Sequence, residues 1–236
     1  MKYWSLNTGK KVFQVLNMRS NSYLISTNKG NILVDTGVRR NLNKLCSNLK
    51  EINNNVLKID FLILTHSHFD HCANSHKIKK LTGCKIIINE NESCFLSSGF
   101  TPIPDGTNFL TKNISSFGKK HISKKGKIEA VTPEITFSKE FNLPCSDIKL
   151  IHTPGHSIGS CSIILNNEIA IVGDTMFGIL RDKIFPPYAD SIKLMVCSWE
   201  TLLKTNCSIF LPGHGSQIER KTVEKEYLKY KEKLQI

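Results

Sequence analysis

The segment Thr65-His66-Ser67-His68-Phe69-Asp70-His71 puts three histidines and an aspartate within six residues, directly after the apolar run Phe61-Leu62-Ile63-Leu64. Imidazole and carboxylate are the ligand types that suit zinc, iron or manganese. In an extended chain alternate side chains point the same way, so His66 and His68 can grip one ion. The chain must then turn for Asp70 and His71 to face a second. The protein has eight histidines and three of them stand here, which argues against a solvated loop with chance histidines.

Two further histidines follow the same local plan. His156 lies in His152-Thr153-Pro154-Gly155-His156, after the apolar pair Leu150-Ile151, and His214 lies in Leu211-Pro212-Gly213-His214-Gly215, after Ile209-Phe210. Each is a strand followed by a Pro-Gly turn that presents a histidine. Asp174 ends the apolar run Ile169-Ala170-Ile171-Val172-Gly173. Singly each signal is weak, because a Gly-Asp after a strand is usually a turn. In this order they reinforce one another.

The set His66-x-His68-x-Asp70-His71, then His156, Asp174 and His214, resembles the motif series of the metallo-β-lactamase superfamily, and it spans nearly the whole chain. The resemblance implies a four-layer αββα sandwich with metals at one edge of the sheets. It implies His66, His68 and His156 on one ion, Asp70, His71 and His214 on a second, and Asp174 bridging both. Asp35, in Leu33-Val34-Asp35-Thr36-Gly37, matches the family's early aspartate, which supports the site from behind the ligands by orienting an imidazole. Two divalent ions about 3.5–4 Å apart share a water, ionise it to a bridging hydroxide near neutral pH and polarise the substrate's scissile group. Zinc is the first expectation, with iron and manganese as alternatives. Asp70 and Asp174 are the candidate catalytic residues. On this resemblance Asp70 would also help to move protons, and Asp174 would hold the ions at working distance. His76, His121 and His152 match no ligand position.

Within that superfamily the carboxylate at Asp174 argues against a true β-lactamase, where a cysteine stands. Gly173-Asp174-Thr175-Met176-Phe177 is similar to the corresponding segment of hydroxyacylglutathione hydrolases. The region that helps bind glutathione there has no counterpart in the 22 residues after His214. Quorum-quenching lactonases carry a tyrosine three residues after the bridging aspartate, where this chain has Phe177. Phe69, Phe177 and Tyr188 are candidates to line a substrate pocket. The expected activity is hydrolysis of a small ester, thioester or lactone. The alternatives are a phosphodiesterase or nuclease of the same superfamily, and a mononuclear-iron sulfur dioxygenase.

The elements that must position these residues follow from hydrophobic period. Strands are expected over 12–17, 22–27 and 31–35, with Asn28-Lys29-Gly30 as a hairpin turn. Leu42, Leu45, Cys46, Leu49 and Ile52 mark a helix, and 59–64 a buried strand ending at the first histidines. A helix over about 72–81 and a strand over 85–89 come next. Residues from about 91 to 125, with Pro102, Pro104 and Gly106, look less regular, a cap or lid-like insertion in a single domain spanning 1–236. Strands are expected at 127–137, 148–152, 160–165, 169–173 and 208–211. Helices are expected over 192–203, with apolar face Ile192, Met195, Val196, Trp199, Leu202 and Leu203, and over 221–234. Mixed strands with interleaved helices make an α/β (α+β) class.

Composition sets the outer limits. Hydrophobic residues at 40% and charged residues at 22% are ordinary globular values, which excludes a broadly disordered chain. No apolar run is long enough to span a bilayer, no signal-peptide core stands at the N-terminus, and no membrane partner is expected. Eight cysteines without a CxxC pair suit buried free thiols in a reducing cytosol. The net charge of +12 admits nucleic acid as a partner, chiefly through Lys119, Lys120, Lys124, Lys125 and Lys127, but a small-molecule substrate is favoured.

Overall fold

A computed structural model of the chain describes residues 1–55, 57–121, 128–144 and 146–236, with the side chain of His121 also outside the described part. The fold is mixed α/β, with two sheets and helices packed on them. The chain divides into two compact units, Met1–Pro102 with Gly126–Phe137, and Ile103–Lys125 with Ser138–Ile236.

The first unit holds β1 (Tyr3–Ser5), β2 (Lys11–Asn17), β3 (Asn21–Thr27), β4 (Gly30–Val34), β5 (Phe61–Ile63), β6 (Lys85–Asn89) and β7 (Ile135–Phe137). Among the described residues they form one sheet in chain order, antiparallel from β1 to β4 and parallel from β4 to β7. Its helices are α1 (Leu42–Ile52), α2 (Phe69–Cys72), α3 (Ser75–Thr82) and α4 (Glu90–Ser98). Strand side chains alternate between faces. Leu33, then Leu62 and Leu64, then Ile86 and Ile88 therefore point one way and pack on Leu45 and Leu49 of α1, Ile78 of α3 and Leu96 of α4. Each such side chain contributes about 1.5–3 kcal/mol by leaving water.

The second unit holds α5 (Phe109–His121), β8 (Glu140–Asn142), β9 (Ile148–His152), β10 (Cys161–Leu165), β11 (Ile169–Gly178), α6 (Ile192–Leu203), β12 (Ile209–Gly215), β13 (Ile218–Glu219) and α7 (Arg220–Leu234). Its sheet runs β13-β12-β11-β10-β9-β8, with β11 and β12 parallel and the other pairs antiparallel. The expected face of α6 is the packed one, with Met195, Val196, Trp199 and Leu202 buried, and α7 packs on the same cluster through Val223, Tyr227, Tyr230 and Leu234. Phe185 stacks on Tyr230 at 4.4 Å, and Trp199 meets both edge-on at 6.0 and 5.8 Å. The indole N–H of Trp199 donates to the Thr175 carbonyl at 2.7 Å, so the buried donor is satisfied.

Three elements differ from expectation. The strand expected over 127–137 is one only at Ile135–Phe137. Pro133 has no N–H for a ladder, and the Ile128 and Val131 amides donate instead to Gly99 and Leu96 at the end of α4. The segment 91–125, expected to be irregular, carries α4 and α5, and its prolines and Gly106 fall in the connection between them. Asn89 caps α4 by accepting from the Asn91 amide at 3.1 Å, and Asn108 accepts from the Thr111 amide at 3.0 Å to start α5. Strand β11 runs on to Gly178, past a register shift at Gly173. Seven cysteines are described, and no disulfide joins any two of them. Among the described residues no helix is long and apolar enough to cross a membrane.

Candidate functional site

In the first unit, the parallel pairing of Val34 with Ile63 brings Asp35 level with the residues just beyond β5. Leu64 to His68 leave the strand without regular structure, and His68, still extended, precedes the turn of α2 that carries Asp70 and His71. The His66 ring lies 4.5 Å from His68 and 4.3 Å from His71 between centroids, and all three rings are buried. The expected gathering of these histidines therefore occurs. Asp70 is only half-buried, and its carbonyl accepts from the Ser20 hydroxyl. Phe69 is 40% exposed, with the Arg19 guanidinium over its ring at 5.1 Å.

Asp35 does more than orient one ligand. It is buried, with φ at 59°. Its Oδ1 accepts from the Thr65 amide at 2.9 Å, and its Oδ2 accepts from the Thr65 hydroxyl and from His71 Nδ1, both at 2.8 Å. The Thr65 hydroxyl has one proton, and that proton goes to Asp35. At 3.0 Å from His66 Nδ1 the same oxygen must then accept the imidazole N–H. One carboxylate thereby sets the tautomer of both His66 and His71, and leaves Nε2 of each as the nitrogen that could serve a metal.

Two residues that sequence reasoning missed hold the same segment. Glu92 of α4 is buried and accepts from the amide of Ser67 at 3.1 Å and from its hydroxyl, clamping the residue between His66 and His68. Asn74 donates to the Thr36 and Val38 carbonyls at 2.9 Å, while Thr36 donates to the His71 carbonyl through its amide at 2.6 Å and its hydroxyl at 2.9 Å. His76 lies on α3 and bonds the Ala130 carbonyl at 3.0 Å, away from the cluster.

In the second unit, His156 stands in the connection between β9 and β10. Thr153 donates to the Ser160 carbonyl at 2.8 Å and Gly155 to the Ser157 carbonyl at 3.0 Å, which closes the loop. His152 bonds the Ile158 carbonyl at 2.8 Å and serves that loop. His156 Nδ1 donates to the Tyr188 carbonyl at 2.9 Å, so Nε2 faces Asp174 Oδ2 at 3.4 Å. The parallel register of β11 and β12, with Phe177 opposite His214, brings His214 Nε2 to 3.2 Å from the same oxygen. Phe177 stacks on the His214 ring at 4.5 Å. Tyr188, a candidate to line a substrate pocket, also holds His156 through its backbone carbonyl. The Tyr188 strand bridge to Gly106 ties that carbonyl to the start of the α5 segment.

Seven residues, His66, His68, Asp70, His71, His156, Asp174 and His214, are the candidate metal-binding residues of the described chain. Their donors are imidazoles and carboxylates, three of the imidazoles with a set tautomer, and this chemistry fits a divalent ion such as zinc, iron or manganese. Of the lysine group, Lys119 pairs with Asp105 at 2.6 Å and Lys120 is exposed on α5, while Lys124, Lys125 and Lys127 lie outside the described residues.

The family model of the metallo-beta-lactamase superfamily matches residues 17–214. The chain belongs to that superfamily. It is 34% identical to a chain of Methanocaldococcus jannaschii named as a probable metallo-hydrolase, over 83% of this chain and 87% of that one. It is 25% identical to a beta-lactamase-like protein 2 homolog of Drosophila melanogaster over 88% of its own length, and spans 62% of that protein. The solved structure of an archaeal metallo-beta-lactamase superfamily protein from Sulfolobus tokodaii superposes with a TM-score of 0.66 at 18% identity, covering 92% of this chain and 85% of that one. The αββα class expected from the sequence is the fold of these neighbours.

Proposed function

We propose that this superfamily member is a dinuclear metallo-hydrolase of small esters, thioesters or lactones that works in the cytosol. The observation that carries the reading is the meeting of two imidazole Nε2 atoms on one buried carboxylate oxygen, Asp174 Oδ2, at 3.4 and 3.2 Å. A carboxylate approached this way suits a bridging ligand. In the proposal His66, His68 and His156 serve one ion, Asp70, His71 and His214 a second, and Asp174 both. When bound, the ions would supply a water ionised near neutral pH and polarise the scissile carbonyl. The chain's own work is to hold the ligands. Asp35 keeps the Nδ1 protons of His71 and, through Thr65, of His66. The Tyr188 carbonyl keeps that of His156. The Asp70 carboxylate, less buried than the histidines around it, takes up and returns the proton that hydrolysis moves to the leaving group.

The test is elemental analysis of protein prepared with zinc, iron or manganese, followed by a panel of ester, thioester, lactone and phosphodiester substrates. About two ions per chain, with turnover confined to the carbonyl substrates, is expected. A ceiling of one ion in every preparation would remove the dinuclear reading, and phosphodiester turnover alone would replace the substrate class.

A further inference from the structure

Helix α5 is turned inside out. Among its described side chains the buried positions are Thr111, Ser115 and Gly118, spaced four and three residues apart on one face. Its large apolar side chains point to solvent: Phe109 is 85% exposed, Leu110 67%, Ile114 52% and Phe117 62%. The small inward face lets the helix sit close, with the Ser115 hydroxyl donating to the Pro104 carbonyl at 2.5 Å. Burying Thr111 and Ser115 while exposing two phenylalanines runs against the hydrophobic effect unless the outer face is covered by something else. The apolar ground continues beyond the helix. Ile179 and Leu180, both more than 60% exposed, line a cavity of about 460 Å³ together with Thr107 and Asn108 at the foot of α5.

Charge decides what covers it. The described helix carries three lysines, Lys112, Lys119 and Lys120, and no aspartate or glutamate, with Lys119 paired to Asp105. Lys112 and Lys120 are exposed on the helix itself, and the wall of the same cavity holds Lys183 beside the Lys229–Glu226 ion pair, a net positive lining. A second copy of the chain would bring equal positive charge against this face, in a protein that already carries +12. An anionic partner is attracted by it. Exposed phenylalanine, leucine and isoleucine flanked by lysine is the composition of a helix that lies in a membrane interface, apolar side chains among the acyl chains and ammonium groups among the headgroups. We propose that α5, with Ile179 and Leu180, is a peripheral docking surface for an anionic lipid membrane. It needs no spanning helix, and it is independent of the metal chemistry.

The experiment is co-sedimentation of the full chain with vesicles of phosphatidylcholine alone, or with about one quarter phosphatidylserine, whose charge raises affinity about fivefold for each lysine near the surface. Binding is expected to the phosphatidylserine vesicles, weak to phosphatidylcholine, and reduced by salt. Phe109→Ser with Phe117→Ser should weaken it at least about tenfold. Lys112→Ala with Lys120→Ala should weaken it about fivefold for each lysine removed. Both pairs are exposed, so the melting temperature and metal content of the variants should match the parent's. Failure of the parent to sediment with anionic vesicles would overturn the proposal. Sedimentation untouched by both variant pairs would do the same. A dimer in light scattering that the phenylalanine pair abolishes would overturn it in favour of a second copy.

Discussion

Asp35 occupies a backbone conformation with φ at 59° and spends both carboxylate oxygens within the protein. Asp35→Asn keeps the shape but puts an amide where either Thr65 or His71 needs an acceptor. Affinity for zinc, read by competition with a chelating dye, should fall about 10–100-fold, the usual cost of losing a partner behind a ligand imidazole. Unchanged affinity would mean that Asp35 serves the fold alone. Asp174→Ala removes the carboxylate that His156 and His214 both approach. It should abolish turnover and lower the metal content, while the circular dichroism spectrum stays that of the parent. Wild-type turnover at full metal loading would end the bridging assignment.

At the scale of elements, the parallel pairs do most of the positioning. Strands β4 and β5 carry Asp35 and the histidine segment off the same sheet edge, and β11 and β12 bring Asp174 and His214 together. The loop of His156 depends on Gly155, whose φ is +133° and where a Cβ would stand 2.2 Å from the Met195 amide nitrogen at the start of α6. Gly155→Ala should therefore cost at least about 2 kcal/mol in a denaturant titration, since neither the backbone nor the helix can give way cheaply. A smaller element lesson lies at β6. Burial tends to raise the Glu134 carboxyl, but Lys79 and the Ile86 amide outweigh it and hold the group below the usual glutamate value. A depressed folded value stabilises above the unfolded pKa of about 4.3 and stops doing so as pH falls through the folded value. Glu134→Gln should lower the melting temperature by up to about 3 °C at neutral pH. The gap from the parent should close in acid, and a gap independent of pH would contradict the pairing.

At the scale of the molecule, the charge of +12 invites a nucleic-acid reading. Lys119 is engaged with Asp105, and the exposed face of α5 is apolar rather than a basic track. Any RNA or DNA binding should be weak and lost near physiological salt, because it rests on counterion release alone. Filter binding across a salt series checks this, and salt-resistant binding removed by Lys119→Ala with Lys120→Ala would restore the nuclease alternative. The alternating charges of α7 pair along the helix, Arg220 with Glu224 and Lys229 with Glu226, 2.8 and 2.9 Å apart.

The candidate metal donors, their order and the strands that present them were legible in the amino-acid sequence, because those signals are local. Histidines two and three residues apart are held by covalent spacing, and a run such as Ile169-Ala170-Ile171-Val172 declares a buried strand by composition. What only the tertiary structure decided acts across long separations. Glu92 meets Ser67 from 25 residues away, and a buried glutamate is written no differently from a solvated one. His156 is oriented by the carbonyl of Tyr188, an atom every residue possesses, so no side-chain type announces that contact. Helix α5 was hidden for a third reason. Its inward face is Thr111, Ser115 and Gly118, and a hydrophobic period assigns apolar residues to the core by default. Only packing reveals which face of a helix the rest of the chain covers.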